Sequence, residues 1–425
     1  MRLAALLLAL YACLPLANAN PANDHLDWTR NANIYEVNLR QYSQQGTLKA
    51  FTADLPRLKR MGVDILWLMP IHPIGKKHRK GKLGSYYASA NYKAVNPEFG
   101  SMADLKALVR QAHAMNMKVI LDWVANHTAW DNPWVKQHPG WYKKNAQGQM
   151  YPVTFTNGPE PEYWTDVVGL DYGNKALWDG MIDAMAYWVR EADIDGFRCD
   201  AAGLVPTAFW NKARLELDKL KPMFMLAEWS EPELHEQAFD MTYGWDLTEV
   251  LQKIAKGAAD VGALKAWVER PPKAYPSTAY RMRFTSNHDF NSWQGTDLEM
   301  YGPAYQAMAM LTFTLPGMPL IYNGQEARLE KRLAFFEKDP IPWKNYELQP
   351  FYTQLIALKK ANPALAAGQF GAPVDVQDSG NDKVFQFRRK LERNVVQVAV
   401  NLSGAPQRYG GGELAAWSWK ILTEN

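Results

Sequence analysis

Short apolar runs alternate with helically spaced apolar positions along most of the chain. Residues 63–69 read as a buried strand, and Leu48, Phe51, Leu55 and Leu58 before them keep helical spacing. Ser101-Met102-Ala103-Asp104 reads as a helix N-cap with its acidic partner. Leu105, Leu108, Val109, Ala112 and Met115 follow on one face. Residues 118–122 are then a strand. Met181, Ile182, Met185, Trp188, Val189 and Ala192 form another helical stripe, leading into a strand at 195–200. Further strands are predicted at 223–227, 282–285 and 319–322.

Strand–helix alternation sustained over roughly 330 residues predicts a parallel sheet covered by helices, and about eight strand candidates suit a closed (β/α)₈ barrel. The rhythm breaks twice. Residues 128–173 are rich in Trp, Pro, Gly and Asn, with little periodicity, and read as a small inserted subdomain after the third strand. From residue 363 the pattern becomes strand-like: Val396, Val398, Val400 and Leu402 share one face, as do Phe385 and Phe387. Residues 363–425 therefore read as a C-terminal antiparallel β domain. The barrel is assigned to 20–127 and 174–362.

Composition changes this picture little. The 425 residues are 47% hydrophobic and 21% charged, an ordinary balance for a globular protein. A net charge of +3 gives no case for a nucleic-acid partner. The N-terminus adds more. Arg2, an apolar run to Leu16 and Ala17-Asn18-Ala19 form a secretory leader, expected to end at residue 19. The run is short for a membrane span, so the mature protein is expected to carry none and to be exported, periplasmic or secreted. Two competing readings are a retained N-terminal anchor and a lipoprotein box at Leu10-Tyr11-Ala12-Cys13, which Tyr11 fits poorly. Cleavage after Ala19 removes Cys13 and leaves Cys199 alone, with no internal disulfide.

In a (β/α)₈ barrel the chemistry sits where strands end. Four apolar runs end on polar residues: Asp122 through His127, Gly196 through Asp200, Glu228 after Ala227, and Asn287-His288-Asp289. Alternate strand residues share a side, so Arg198 and Asp200 point together and Cys199 points away. An arginine beside a carboxylate is expected to keep it ionised. Three carboxylates on separate strand ends, with two histidines and an arginine, fit glycoside hydrolysis. A retaining mechanism needs one carboxylate to attack and one acid to protonate the leaving oxygen, about 5–5.5 Å apart.

These motifs, in this order, resemble the α-amylase family, glycoside hydrolase family 13. The similarity runs from Ile34-Tyr35-Glu36-Val37 to the C-terminal domain. It includes Gly84-Ser85-Tyr86-Tyr87 with Tyr92, and Gly317-Met318-Pro319 through Asn323-Gly324-Gln325-Glu326. The resemblance implies that Asp200 is the nucleophile, Glu228 the general acid/base and Asp289 a transition-state stabiliser. It implies that Arg198 holds Asp200 ionised, that His127 and His288 bond the same sugar, that Tyr87 stacks beneath it, and that Asp122 orients the site. The substrate is expected to be an α-glucan or maltooligosaccharide. Ala201, where relatives selective for α-1,6 bonds often carry valine, tilts this to α-1,4 linkages. The implied activity is hydrolysis. A 4-α-glucanotransferase or cyclomaltodextrinase on the same scaffold is an alternative, and a non-catalytic glucan-binding protein is the reading from another class.

The chain departs from the family at Ala88 and Asn91, where aspartates are common, and at Ala201-Ala202-Gly203-Leu204, where calcium-dependent members carry Lys-His. The chemistry needs no cofactor. A structural Ca²⁺ stays open: Asn126 matches a usual ligand and Asp171 is a second candidate, but six to eight oxygens are needed. The basic run Lys76 to Lys82 reads as a solvated loop. Trp130, Trp134, Trp141, Trp164 and Trp229 are the tryptophans expected in a sugar cleft.

Overall fold

The computed structural model describes residues 25–156, 160–271 and 273–424. The leader and Cys13 lie outside the described residues. Eight parallel strands close a barrel: β1 (Ile34–Val37), β2 (Ile65–Leu68), β3 (Lys118–Val124), β7 (Gly196–Asp200), β8 (Phe224–Ala227), β9 (Met241–Tyr243), β10 (Tyr280–Arg283) and β11 (Met318–Tyr322). Three strands after β3 form a separate antiparallel sheet: β4 (His127–Ala129), β5 (Pro152–Phe155) and β6 (Glu162–Gly169), with β6 in the middle. At the C-terminus, β12 (Asp375–Gln377), β13 (Val384–Leu391), β14 (Asn394–Asn401) and β17 (Trp419–Glu424) make an antiparallel sheet. The hairpin β15 (Gln407–Tyr409) and β16 (Gly412–Leu414) stands beside it.

Two strands depart from the sequence reading. The strand expected at 282–285 pairs as β10 two residues earlier. Its apolar character runs on through Phe284, but pairing with β9 and β11 stops at Arg283. The three-residue β9 has too short a run to show any period, and the sequence pattern missed it.

Strand alternation sorts the interior. Ile34, Ile65, Ile120, Phe224, Leu226, Met241, Tyr280, Met282, Met318 and Leu320 fill the barrel as one apolar cluster. Phe197 and Cys199 face outward into the larger cluster between barrel and helices. The outer helices present the stripes expected. Helix Met102–Ala114 starts with the reciprocal Ser101–Asp104 box and buries Leu105, Leu108, Val109 and Ala112. Helix Lys175–Ala192 buries the Met181-to-Ala192 stripe. At the bottom of β7, Gly196 is forced: a Cβ there would stand 1.9 Å from the Phe224 carbonyl oxygen.

The C-terminal sheet is bolted to the barrel through buried cations. Arg389 on β13 donates to the carbonyls of Ala372, Thr314 and Ala366 at 2.8, 3.1 and 3.3 Å. Among the described residues no carboxylate stands opposite it, and burial lowers its guanidinium to about 9. Lys359, on helix Gln349–Ala361, donates to the carbonyls of Gly317 and Leu365.

Candidate active site

The carboxyl-terminal mouth of the barrel opens into a cleft of about 1390 Å³. Its floor is the polar layer above the apolar filling. Continuing the inward alternation, Ile34 gives way to Glu36, Ile65 to Trp67, Ile120 to Asp122, Leu226 to Glu228 and Met241 to Tyr243. Arg198 and Asp200 follow Gly196 on β7 in the same way.

Arg198 is the hub. Its Nη1 donates to Asp122 Oδ1 at 2.9 Å and to Asp200 Oδ1 at 3.1 Å. Its Nη2 forms an ion pair with Glu228 Oε1 at 2.8 Å. Its Nε donates to the Tyr243 hydroxyl at 3.2 Å. Glu228 Oε2 also accepts the Ala201 backbone N–H at 2.8 Å, which ties it to the residue after Asp200. Asp122 is further held by Trp67 Nε1 and by the Tyr87 hydroxyl, both at 3.1 Å.

Burial reverses one expectation. The sequence pattern predicts that Arg198 lowers Asp200 and keeps it ionised. Loss of water around Asp200 outweighs the guanidinium; with the Asp122 and Asp289 charges adding to it, Asp200 rises to about 6. Burial likewise raises Glu228 to about 7, with Asp200 and Asp289 adding and Arg198 opposing. Both groups are raised toward neutral pH, Asp200 less far than Glu228, which is the order a nucleophile and an acid require.

His288 stands across the site. Its Nε2 pairs with the Tyr87 hydroxyl at 2.7 Å and lies 3.4 Å from Asp289 Oδ2, while Nδ1 meets Glu36 Oε1 at 2.5 Å. Burial pulls His288 down, but Asp289 and Glu36 outweigh it and raise it to about 9. The ring is therefore charged at neutral pH. His127 behaves oppositely: burial lowers it to about 4, and it stays neutral. Tyr87 stacks on His288 with ring centroids 5.4 Å apart and an interplanar angle of 23°. All seven predicted residues are thus brought to one place: Tyr87, His127, Asp200, Glu228, His288 and Asp289 line the cleft, and Arg198 lies beneath.

The tryptophans divide. Trp164 and Trp229 line the cleft, and Trp130, Trp134 and Trp141 do not. Trp134 and Trp141 meet edge to face at 5.0 Å, beside a separate cavity of about 330 Å³. Trp130 gives its N–H to the Thr165 carbonyl. Trp245, Trp293 and Phe335 line the cleft instead, and sequence reasoning missed them. It also missed Glu36, Trp67 and Tyr243. For Glu36 a signal existed, since a charge at the inward position of the first strand is out of place in a core. Lys80, from the basic run, reaches the cleft and lies 3.5 Å from Asp166 on β6. The solvated-loop reading therefore fails for that residue.

The Asn126 side-chain amide meets His127 Nδ1 at 3.2 Å, and Asp171 accepts the Gly173 N–H at 2.9 Å. Among the described residues no group of three or more His, Cys, Asp or Glu side chains is placed to hold a metal ion. No step below runs through a metal.

A closed (β/α)₈ barrel with acids gathered on one arginine at its carboxyl-terminal mouth defines the class. The family model for the alpha-amylase catalytic domain matches residues 18–339, and the chain belongs to the alpha-amylase family. The alpha-amylase MalA of Haloarcula japonica is 27% identical over 403 residues, 90% of this chain and 57% of its own. An alpha-1,4-glucan:maltose-1-phosphate maltosyltransferase of Rhodospirillum rubrum is also 27% identical, over 89% of this chain and 56% of its own. The chain thus spans little more than half the length of these relatives. A solved alpha-amylase from Lactobacillus plantarum superimposes with a TM-score of 0.83 at 32% identity, covering 93% of this chain and 99% of that one.

Proposed function

We propose that the chain is a retaining hydrolase of α-1,4-glucosidic bonds in starch, maltodextrins or related α-glucans. One observation carries this: a single buried guanidinium touches both Asp200 and Glu228, at 3.1 and 2.8 Å. Two carboxylates held side by side on one guanidinium fit the close pairing of a retaining enzyme, whose carboxyl groups stand about 5–5.5 Å apart.

In the first step the Asp200 carboxylate attacks the anomeric carbon. The bond to the leaving oxygen breaks, and Glu228 gives that oxygen its proton. The product is a glycosyl ester on Asp200 and a shortened glucan. In the second step water attacks the same carbon and gives a proton to Glu228, and the ester bond breaks. Both carboxyl groups return to their starting states. Positive charge builds on the ring in both transition states. Asp289, half-exposed in the cleft, is placed to stabilise it. Tyr87 supplies the stacking face, and His127 and the charged His288 supply donors.

The charge of the cleft favours a neutral glucan over a sugar phosphate. Seven carboxyl side chains among the described residues line it. Among the described lining residues Lys80 is the one lysine or arginine, and Asp166 faces it. An incoming phosphate would meet repulsion, and the cations there, Lys80 and the charged His288, already face carboxylates. The leader supports export to the periplasm or beyond, and among the described residues no helix is long and apolar enough to cross a membrane.

The test is turnover of maltoheptaose by wild type and Asp200→Asn, with the product anomer followed by NMR. The wild type should release the α-anomer first and the variant should be inactive. An initial β-anomer would exclude Asp200 as nucleophile.

A further inference from the structure

The loop that follows β2 is held on two sides. Its first leg is pinned to the inserted subdomain. The N–H groups of Lys76 and Lys77 both donate to Asp131 Oδ2, at 2.7 and 3.3 Å. Lys77 Nζ lies 5.2 Å from the centre of the Trp130 ring, and the His78 ring meets the same indole edge-on. The second leg is pinned to the loop that follows β11. Lys82 N–H donates to Glu337 Oε1 at 2.9 Å, and Leu83 N–H to the Phe336 carbonyl at 3.0 Å. Gly81, at φ +62°, lies so close to that loop that a Cβ would stand 2.5 Å from Phe336 Cβ. Arg79 ties the two legs together. Its Nε and Nη2 donate to the Gly75 and Ile74 carbonyls at 2.7 and 2.9 Å, and its Nη1 to the Lys82 carbonyl at 3.3 Å.

These contacts join two walls of the cleft. Lys80 of the loop lines it, with Trp164 and Asp166 of the inserted sheet to one side and Phe335 and Phe336 to the other. The place of this bridge follows from the strand order. Around the barrel the strands run β1, β11, β10, β9, β8, β7, β3, β2. β11 and β2 flank β1, and β8 stands opposite β1, four places away in either direction. The bridge therefore crosses the rim on the side away from Glu228, which follows β8. A general acid protonates the leaving oxygen, so the departing, reducing-end part of a glucan lies toward β8. The part that becomes the ester runs the other way, over Tyr87 and toward Phe335, whose ring stacks on Tyr87 at 6.3 Å with an interplanar angle of 12°. The non-reducing end of the chain points at the bridge.

From this we infer that residues 74–84 form a strap that bars the non-reducing end of the cleft, so that the enzyme takes a glucan by its free end and removes a short piece of it. The inference rests on the assignment of Asp200 and Glu228 above, because the side on which the acid stands sets the direction of the chain. A trough open at both ends lets a polymer lie through it and be cut at any bond. A trough barred at one end accepts only as many sugars beyond the scissile bond as fit before the bar. The strap is a fixed bar rather than a moving lid. Both legs end in hydrogen bonds to their neighbours, and one guanidinium braces them from within. Arg79 does not line the cleft and is a positioning residue. Lys80, which does, faces Asp166 at 3.5 Å and draws the strap toward the inserted sheet.

The experiment compares p-nitrophenyl maltoheptaoside with the same compound carrying a 4,6-ethylidene group on its non-reducing glucose. Chromatography follows both, and fluoride release from α-maltosyl fluoride reports ester formation separately. The ratio of blocked to unblocked turnover is read on one preparation, so it does not depend on how much activity a variant keeps. Wild type should cleave the blocked compound roughly tenfold more slowly or worse, the usual cost of one group too many in a closed pocket. Replacing residues 77–81 by two glycines removes the bar. Arg79 reaches carbonyls on both legs, so the gap is short enough for them to span. In that variant the ratio should rise toward one, and in Arg79→Ala it should rise part of the way. Equal turnover of both compounds by wild type overturns the strap alone. So does a wild-type ratio that persists in both variants, or loss of fluoride release in both, which would make the loop a prop of the fold. No fluoride release by wild type overturns the assignment of Asp200 and Glu228, and the strap with it.

Discussion

Asp200→Asn should abolish turnover and also make the folded protein more stable at neutral pH. Asp122, Asp200 and Glu228 share the Arg198 guanidinium. One positive charge cannot balance three negative ones in a site stripped of water. Burial, with Asp122 and Asp289 adding and Arg198 opposing, raises Asp200 from 3.8 to about 6. At about 1.4 kcal/mol per unit, that is about 3 kcal/mol lost from the fold once Asp200 is ionised. The sign follows from the raised value. The stability is fully present below the unfolded carboxyl's pKa and is lost as pH rises through about 6. Asparagine keeps the shape and cannot ionise. It gives up a charge-assisted bond to Arg198, so the net gain should be about 1–2 kcal/mol. In a chain of this size that is about 1–3 °C in Tm. Melting followed by tryptophan fluorescence at about pH 7.5 and about pH 4.5 tests it, since the advantage should exist only at the higher value. A variant that melts no higher than wild type at either pH would refute the view that the site carries excess negative charge.

Glu228→Gln should lower kcat on maltooligosaccharides about a thousandfold, and far less on α-maltosyl fluoride, whose leaving group needs no proton. For wild type, kcat/KM should fall below about pH 6, as Asp200 takes up a proton, and above about pH 7, as Glu228 loses its own. Asp289→Asn removes a charge that raises both groups, so both limbs of that profile should move to lower pH; fixed limbs would mean that Asp289 does not act on them. Gly196→Ala would drive a methyl against the Phe224 carbonyl, and urea denaturation should show a loss of about 3 kcal/mol.

The alternation of apolar runs and helical stripes made the barrel legible, because strands buried on both faces must be apolar and their covering helices one-sided. It failed where a strand was too short to show a period, as at Met241–Tyr243. There Tyr243, which holds Arg198 from below, went unseen. The shared side of Arg198 and Asp200 was readable from strand geometry alone. The direction of the Asp200 shift was not, because it depends on how much water the closed barrel removes. The cleft aromatics show the same limit. Trp229 stands beside the acid and Trp164 in the aromatic-rich inserted region, whereas Trp245 and Trp293 reach the cleft from segments that only the barrel brings together. Trp134 and Trp141 had the right composition around them and the wrong address.

Arg389 has a consequence for anyone who would trim the molecule. Its three carbonyl partners come from a barrel helix and from the segment joining barrel to sheet. Cutting the chain after Ala361 would strip the Thr314 carbonyl of its Arg389 donor and Lys359 of its Leu365 partner. The C-terminal sheet is therefore a keystone rather than an appendage. A protein built this way should lose its barrel and its sheet in one cooperative transition, and a protease cut in the joining segment should cost it both.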